Sequence, residues 1–225
     1  ITLRALNILK KSNIILCEDT RRSQKLLSHF KIKNSLIAYH KFNEKSVCDK
    51  VINCIKSNEI VSLISDAGTP TVSDPGLVLV KRCIDENLKV HPIPGASAPT
   101  SAMSVSGFDE KYLFYGFLPK KEKELEKTIQ KLKKLDFSIV FFVPSTKIKM
   151  CLLKFKDHFK NRKILIAKEM TKIYENFIRS KISSLNFSKQ NHKGEFTVVI
   201  SEKIKNEIVE KKISESVKIE IKKMI

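Results

Sequence analysis

No apolar run in these 225 residues is long enough to span a bilayer, and no signal-peptide pattern opens them. A helical membrane protein is set aside. Cysteine is scarce: Cys17, Cys48, Cys54, Cys83 and Cys151 form no CxxC pair and no repeated spacing. Several lie inside apolar stretches, so they read as reduced core thiols in a cytoplasmic protein rather than as a disulfide framework. His29, His40, His91, His158 and His192 are scattered, without an HxxxH or HxxE cluster, so no metal site is expected. The phosphate-loop patterns GxxxxGK(S/T) and GxGxxG are both missing. No paired aromatic motif of the RNA-recognition-module type is present. Acidic residues are few, 24 against 43 Lys and Arg, which leaves a formal charge of +19. Such an excess attracts polyanions, because each neutralised phosphate releases condensed counterions. The cations are mostly Lys, and Ile and Asn are also plentiful, a bias that AT-rich coding produces too. Charge alone therefore leaves a nucleic-acid partner open.

What is present is the ordinary material of a globular protein, 42% hydrophobic and 30% charged, enough to build a core in one large or two small domains. Leu3, Leu6 and Leu9 place an amphipathic helix over 3–11, and Ile14–Cys17 reads as a short strand. A helix follows to about Phe30, a strand over Ser35–Tyr39, a helix over 44–57 and a strand over Ile60–Ile64. Beyond Gly76 the pattern predicts a helix carrying Leu77, Val80 and Ile84, a strand over Val90–Ile93, and a helix of small residues to Ser106. Strands and helices alternating at this spacing argue for βαβ units in a mainly parallel sheet, with ligand-binding loops along one edge. After Gly107 a second unit is expected: extended Tyr112–Phe117, a basic helix to about Leu135, strands at Ile139–Val143, Ile164–Lys168, Glu175–Ile182 and Phe196–Ile200, and helices at about 146–160 and 204–222. The fold class is α/β in two domains, 1–116 and 117–225, the first Rossmann-like, with a cofactor crevice between them.

Three segments carry chemistry. In Ser65-Asp66-Ala67-Gly68-Thr69-Pro70, running on to Gly76, small side chains let backbone amides and carbonyls approach a ligand closely. Within it Asp74-Pro75 reads as a helix N-cap followed by Pro at the first helical position, which leaves Asp66 as the better ligand contact. The second loop, Pro94 to Thr100, has the same character, and its Ser97 reads equally as an N-cap or a ligand contact. Two such loops after two strands of one sheet point to one cofactor crevice. The third segment is Glu18-Asp19-Thr20-Arg21-Arg22. Asp19 or Thr20 can cap the next helix, which sets Arg21 and Arg22 in its first turn, where the helix dipole disfavours cations by about 0.3–1 kcal/mol. That local conflict fits a demand for phosphate binding, against plain surface solvation.

Taken together, CEDTRRSQKLLSHFKI, SLISDAGTPTVSDPGL, PIPGASAPTSAMSVSGF, FYGFLPKK, KEMTKIYENF and KGEFTVVI resemble the ribosomal RNA small-subunit methyltransferase I family of the tetrapyrrole-methylase superfamily. The likeness covers nearly the whole chain, in order. It implies transfer of a methyl group from S-adenosylmethionine to the 2′-oxygen of a cytidine in 16S ribosomal RNA of the small ribosomal subunit, by a homodimer with no membrane partner. By the same resemblance, Ser65, Asp66, Ala67, Gly68, Thr69 and Pro70 form the cofactor loop. Ser97 and Ala98 form a second contact, and Val143, between Phe142 and Pro144, a third. Asp19 or Glu169 is the candidate to orient or deprotonate the hydroxyl. Arg21, Arg22, Lys120, Lys121 and Lys172 are the candidates to hold RNA.

Some features depart from that family. Related sequences carry a TPIGNL-like strand and loop before the first helix, whereas Ile1-Thr2 begin just after it, and a small helical extension expected after Ile225 is lacking. The expectation is a fragment at both ends. Pro144, Lys147 and Ile148 stand where relatives tend to show an acidic residue and a His-Arg pair. Two other readings compete: a tetrapyrrole methyltransferase of the same fold, which has no need of the basic 120–134 helix, and a noncatalytic RNA-binding assembly protein, which leaves the two small-residue loops unexplained.

Overall fold

The structure is a computed structural model that describes residues 1–186 and 193–204. The helix expected over about 204–222 lies outside the described residues. The first unit begins with helix α1, Leu3–Lys11, whose N-terminus is closed by the Thr2 hydroxyl accepting from the Ala5 amide at 3.2 Å. Strand β1, Ile14–Cys17, is buried along its whole length, as a central parallel strand covered on both faces must be. Helix α2 covers Thr20–His29, strand β2 Ser35–Ala38, helix α3 Glu44–Lys56 and strand β3 Val61–Ile64. Helices α4, Leu77–Asp85, and α5, Ala98–Ser104, complete the unit.

The three strands pair in parallel in the order β2-β1-β3, with Ile14 opposite both Ser35 and Val61. Alternation along β1 splits its side chains between two cores. Ile14 and Leu16 pack with Val51 and Ile52 of α3 and Leu79 and Cys83 of α4. Ile15 packs on the other face with Leu9 of α1, Leu27 of α2 and Ile32. Each such fully buried aliphatic side chain contributes about 1.5–3 kcal/mol of transfer free energy.

Val90–Ile93, expected as a fourth strand, makes no ladder: the sheet contains three strands among the described residues. Pro92 has no N–H to donate, and Val90 stays exposed, so the segment has no strand partner. The loop at 94–97 therefore follows an irregular segment rather than a strand of the same sheet.

The second unit holds a five-stranded sheet in the order β4-β5-β8-β6-β7, built from β4 Tyr112–Phe117, β5 Ser138–Pro144, β6 Lys163–Lys168, β7 Asn176–Lys181 and β8 Glu195–Ile200. β4 and β5 are parallel, and the remaining pairs are antiparallel. Because β4 pairs with β5, this sheet begins at Tyr112, so a boundary at 116/117 would cut a strand. Helices α6, Glu122–Leu132, and α7, Ile148–Phe159, cover one face, burying Leu125, Ile129, Phe155 and Phe159 against Phe141 and Ile164. The opposite face meets α5 of the first unit, where Ala102 packs on Val140, Leu165 and Val199. A small side chain at that contact lets the helix lie close to the sheet and couples the two units. No described helix is long and apolar enough to cross a membrane.

Candidate active site

The carboxyl ends of β1 and β3 carry two of the loops that hold most of the chemistry, and hydrogen bonds knit the two together along one edge of the sheet. Asp19 caps α2, accepting from the Arg21 amide at 2.9 Å, and also pairs with the Arg21 guanidinium at 3.0 Å. These contacts with Arg21 hold its carboxyl well below the ordinary range, at about 2. The Asp19 amide donates to Asp66 Oδ1 at 3.2 Å, and Arg22 pairs with Asp66 Oδ2 at 3.4 Å. Asp66 therefore ties the loop after β3 to the loop after β1.

Beyond Asp66 the chain turns through Ala67, Gly68 and Thr69, and the Thr69 hydroxyl donates to the Ala96 carbonyl at 3.0 Å. That bond draws the two small-residue loops together. Gly68 has φ 81°, and a Cβ built on it meets nothing within 4 Å, so the space beside its backbone is open. Ser97 stands at the N-cap position of α5 but makes no capping bond, and its hydroxyl meets that of Thr100 at 3.2 Å.

Facing these loops is a cavity of about 450 Å³, inside the range of small-molecule sites. One wall is Ala67, Gly68, Thr69, Val72 and Asp74, with Ser97, Ala98 and Pro99. The other wall comes from the second sheet: Phe117, the end of β5 from Phe142 through Ser145, and Gly194–Thr197 at the start of β8. Phe142 is held in place by ring contacts with Phe114 and Phe117, centroids 5.0 and 5.4 Å apart. The crevice lies between the two units, as the sequence implies.

Of the residues expected to bind a cofactor, Ala67, Gly68, Thr69, Ser97, Ala98 and Val143 line this cavity. Ser65, Asp66 and Pro70 are not among the lining residues. Ser65 donates to the Ala67 carbonyl at 3.3 Å, and Asp66 is occupied by Asp19 and Arg22. Asp74 is a correction: α4 starts at Leu77 behind Gly76, without a side-chain cap, and Asp74 instead lines the cavity. Burial, with Glu18 and Asp66 as further causes, pushes its carboxyl up.

Neither Asp19 nor Glu169 lines the cavity. Glu169 follows β6 with φ 50°, accepts from the Glu195 amide at 2.7 Å and from Lys172 Nζ at 3.0 Å, and so clasps the chain end of β6 to the start of β8. The Glu195 amide, followed by Lys172, keeps its carboxyl low. Lys172 also pairs with Glu195 at 3.0 Å. Arg21 and Arg22 stand in the first turn of α2 with side chains 89% and 69% exposed, free to meet a further anion. Lys120 and Lys121 are exposed where the chain leaves Phe117, and Lys147 Nζ donates to the Lys120 carbonyl at 3.3 Å.

Sequence patterns missed Val72, Phe117 and the β8 start as cavity walls. The signal available was the glycine in KGEFTVVI, since Gly194 has φ 113° and no room for a Cβ beside Glu169.

The profile of the family Tetrapyrrole (Corrin/Porphyrin) Methylases matches residues 1–186. Ribosomal RNA small subunit methyltransferase I of Thermotoga maritima is 40% identical over 206 residues, covering 90% of this chain and 92% of that protein. The protein of the same name from Mesomycoplasma conjunctivae is 40% identical over 97% of this chain and 92% of its own length. The chain belongs to the ribosomal RNA small subunit methyltransferase I family. Solved structures agree on the fold of this family's chain. The methyltransferase CobJ superposes with a TM-score of 0.65 at 15% identity, covering 90% of this chain and 88% of its own. A uroporphyrin-III C-methyl transferase from Thermus thermophilus, complexed with S-adenosyl homocysteine, gives 0.60 at 13% identity over 90% and 91%. At such identities these likenesses speak for architecture alone.

Proposed function

We propose that this chain methylates the 2′-oxygen of a cytidine ribose in the decoding region of 16S ribosomal RNA, using S-adenosylmethionine, as a cytoplasmic homodimer acting on the small ribosomal subunit. The observation that carries the reading is the convergence of the Ala67–Thr69 and Ser97–Ala98 loops, joined by the Thr69 to Ala96 hydrogen bond, on one cavity in a chain of this family.

The cavity suits such a cofactor. Open backbone at Gly68 offers polar groups to a nucleoside, the Phe142 and Val143 wall offers an apolar surface, and Asp74 offers a negative charge toward a sulfonium. When bound, S-adenosylmethionine supplies an electrophilic methyl group on a sulfur that leaves as a neutral thioether. The protein's task is then to bring a hydroxyl within about 3–3.5 Å in line with that methyl and to assist loss of its proton. Ala67, Gly68, Thr69, Ser97, Ala98 and Val143 hold the cofactor. Ser65, Asp66 and Pro70 shape the loop from behind. Arg21, Arg22, Lys120, Lys121 and Lys172 hold phosphates around the target. Asp19 and Glu169 act as positioning residues, one by capping α2 and the other by clasping the cavity wall.

The porphyrin reading rests on fold neighbours at 12–15% identity, whereas the ribosomal RNA reading rests on relatives at 40% over nine-tenths of the chain and a charge of +19. Mapping 2′-O-methyl groups on 16S ribosomal RNA from cells lacking this gene tests the proposal. Loss of one mark in the decoding region is the expected result, and a complete set of marks overturns it.

A further inference from the structure

Asp74 lacks a structural explanation. Its sequence context, Asp-Pro before a helix, suits a cap, yet α4 starts behind Gly76 and no side chain caps it. None of the ion pairs among the described residues includes it. Its neighbours are the Ser65 hydroxyl and two further carboxylates, Glu18 and Asp66. Of these, Asp66 already pairs with Arg22. The other carboxylate lining the cavity, Glu195, is engaged by Lys172. A half-buried carboxylate with no cation partner, placed in a cavity wall, is costly to keep unless the site uses it.

The loop around it is held in an unfavourable shape. Thr71 and Ser73 both adopt positive φ, 71° and 67°, which residues with a Cβ rarely do. The Thr71 amide donates to the Pro75 carbonyl at 3.2 Å, closing the turn that contains Asp74. Gly116, at φ 80°, lets β4 approach so closely that a Cβ there would lie 2.8 Å from Ser73 Oγ. The backbone on both sides of Asp74 is thus fixed by the second sheet and by its own turn.

We propose that Asp74 is the catalytic base, accepting the proton of the ribose hydroxyl as the methyl group is transferred. This assignment rests on the methyltransferase reading above. The hydroxyl oxygen forms a bond to the methyl carbon, and the carbon–sulfur bond breaks with its electron pair kept by sulfur. The hydroxyl proton passes to a carboxylate oxygen of Asp74. A cation and an anion enter the step, and a neutral thioether, a methyl ether and a neutral carboxyl leave it. Asp19 and Glu169 are poor candidates for this role, since each has its charge held by a cation and by a backbone amide.

The test compares the parent protein with Asp74→Asn and Asp74→Glu in three measurements: S-adenosyl homocysteine binding by calorimetry, single-turnover methyl transfer to small subunits, and thermal unfolding of the cofactor-free protein against pH. Expected for Asp74→Asn is homocysteine-nucleoside affinity within about threefold of the parent and transfer slower by about 10²–10⁴-fold, with partial recovery in Asp74→Glu. The unfolding series reads the residue without any reaction. A carboxyl raised in the folded state loses stability as pH rises from its ordinary value of 3.8 through the raised one, so Asp74→Asn should melt higher than the parent at about pH 8 and lose that gain in acid. Transfer by Asp74→Asn at the parent's rate overturns the assignment. So does a loss of transfer matched by an equal loss of ligand affinity and a lower melting temperature, which marks a structural residue. If the parent itself neither binds S-adenosyl homocysteine nor transfers methyl, the methyltransferase reading falls first and this assignment with it.

Discussion

Arg162 carries its guanidinium into the second unit at 4% exposure, beside Phe159 and without a carboxylate at ion-pair distance among the described residues. It donates instead to the carbonyls of Ser201, Lys133 and Leu135, which gathers the ends of β8, α6 and the segment before β5 around one side chain. Burial lowers its pKa, opposed by Asp136 and Glu202. Arg162→Leu leaves those acceptors without a donor, and a loss of roughly 2–4 kcal/mol is expected. Urea unfolding should show a lower midpoint at unchanged slope, and an unchanged midpoint would remove this side chain from the stability of the unit. Glu169 makes a second prediction, about pH. Its carboxyl is held below the ordinary 4.5 by the Glu195 amide and Lys172, so its contribution to stability is present above that value and is lost as pH falls through the lowered one. Glu169→Gln should melt lower than the parent at neutral pH and converge with it in acid. A constant offset across the whole range would show that shape, not charge, is what the residue supplies.

Elements differ in how far the sequence reveals them, and the reason is locality. Helices α1 to α7 and strands β1 to β8 all follow from hydrophobic spacing, because each buries one face against something regardless of what that partner is. The segment Val90–Ile93 has the composition of a strand, yet Pro92 and the missing neighbour deny it a ladder, and pairing is not written in composition. Asp74 misled for a related reason: Asp-Pro is a local cap signal, but the turn closed by Thr71 and Pro75 moves the helix start past it. The two loops that line one side of the cavity were legible as glycine- and alanine-rich turns after apolar segments. Of the opposite wall only the Phe142–Pro144 segment was legible, through the family resemblance; Phe117 and the start of β8 were not, since they meet the loops only after the two units dock. Gly194 is the point at which that wall depends on a single atom. With φ 113° and a virtual Cβ 2.7 Å from Glu169 Cγ, Gly194→Ala must shift either the clasp or the strand. Strain of about 1–3 kcal/mol is expected, and with it roughly tenfold weaker S-adenosyl homocysteine binding by calorimetry. Parent-like affinity would mean that the β8 start borders the cavity without shaping it.

At the scale of the whole molecule the governing quantity is charge. Acidic side chains are few, and many of those described are engaged with cations, as Asp19, Asp66, Glu169 and Glu195 are, and the surplus of +19 is carried mainly by lysines. A uniform coat of lysine and a directed RNA-binding face predict different salt behaviour. In the first, removing any two charges has the same small effect. In the second, the cations near the cavity matter most, since the Lys120–Lys121 segment leaves directly from Phe117 in the cavity wall. For single-stranded RNA, log K falls with log salt by about 0.7 per phosphate contact. Replacing Lys120 and Lys121 together by Gln should therefore flatten the slope by about 1.4 if both hold phosphates, while an equal change at two lysines remote from the cavity, Lys10 and Lys11 at the end of α1, should leave it nearly as it was. Binding of 16S ribosomal RNA measured over a salt series reads both slopes. Equal flattening in the two variants would reduce the charge to general attraction and leave recognition of the target to the cavity alone.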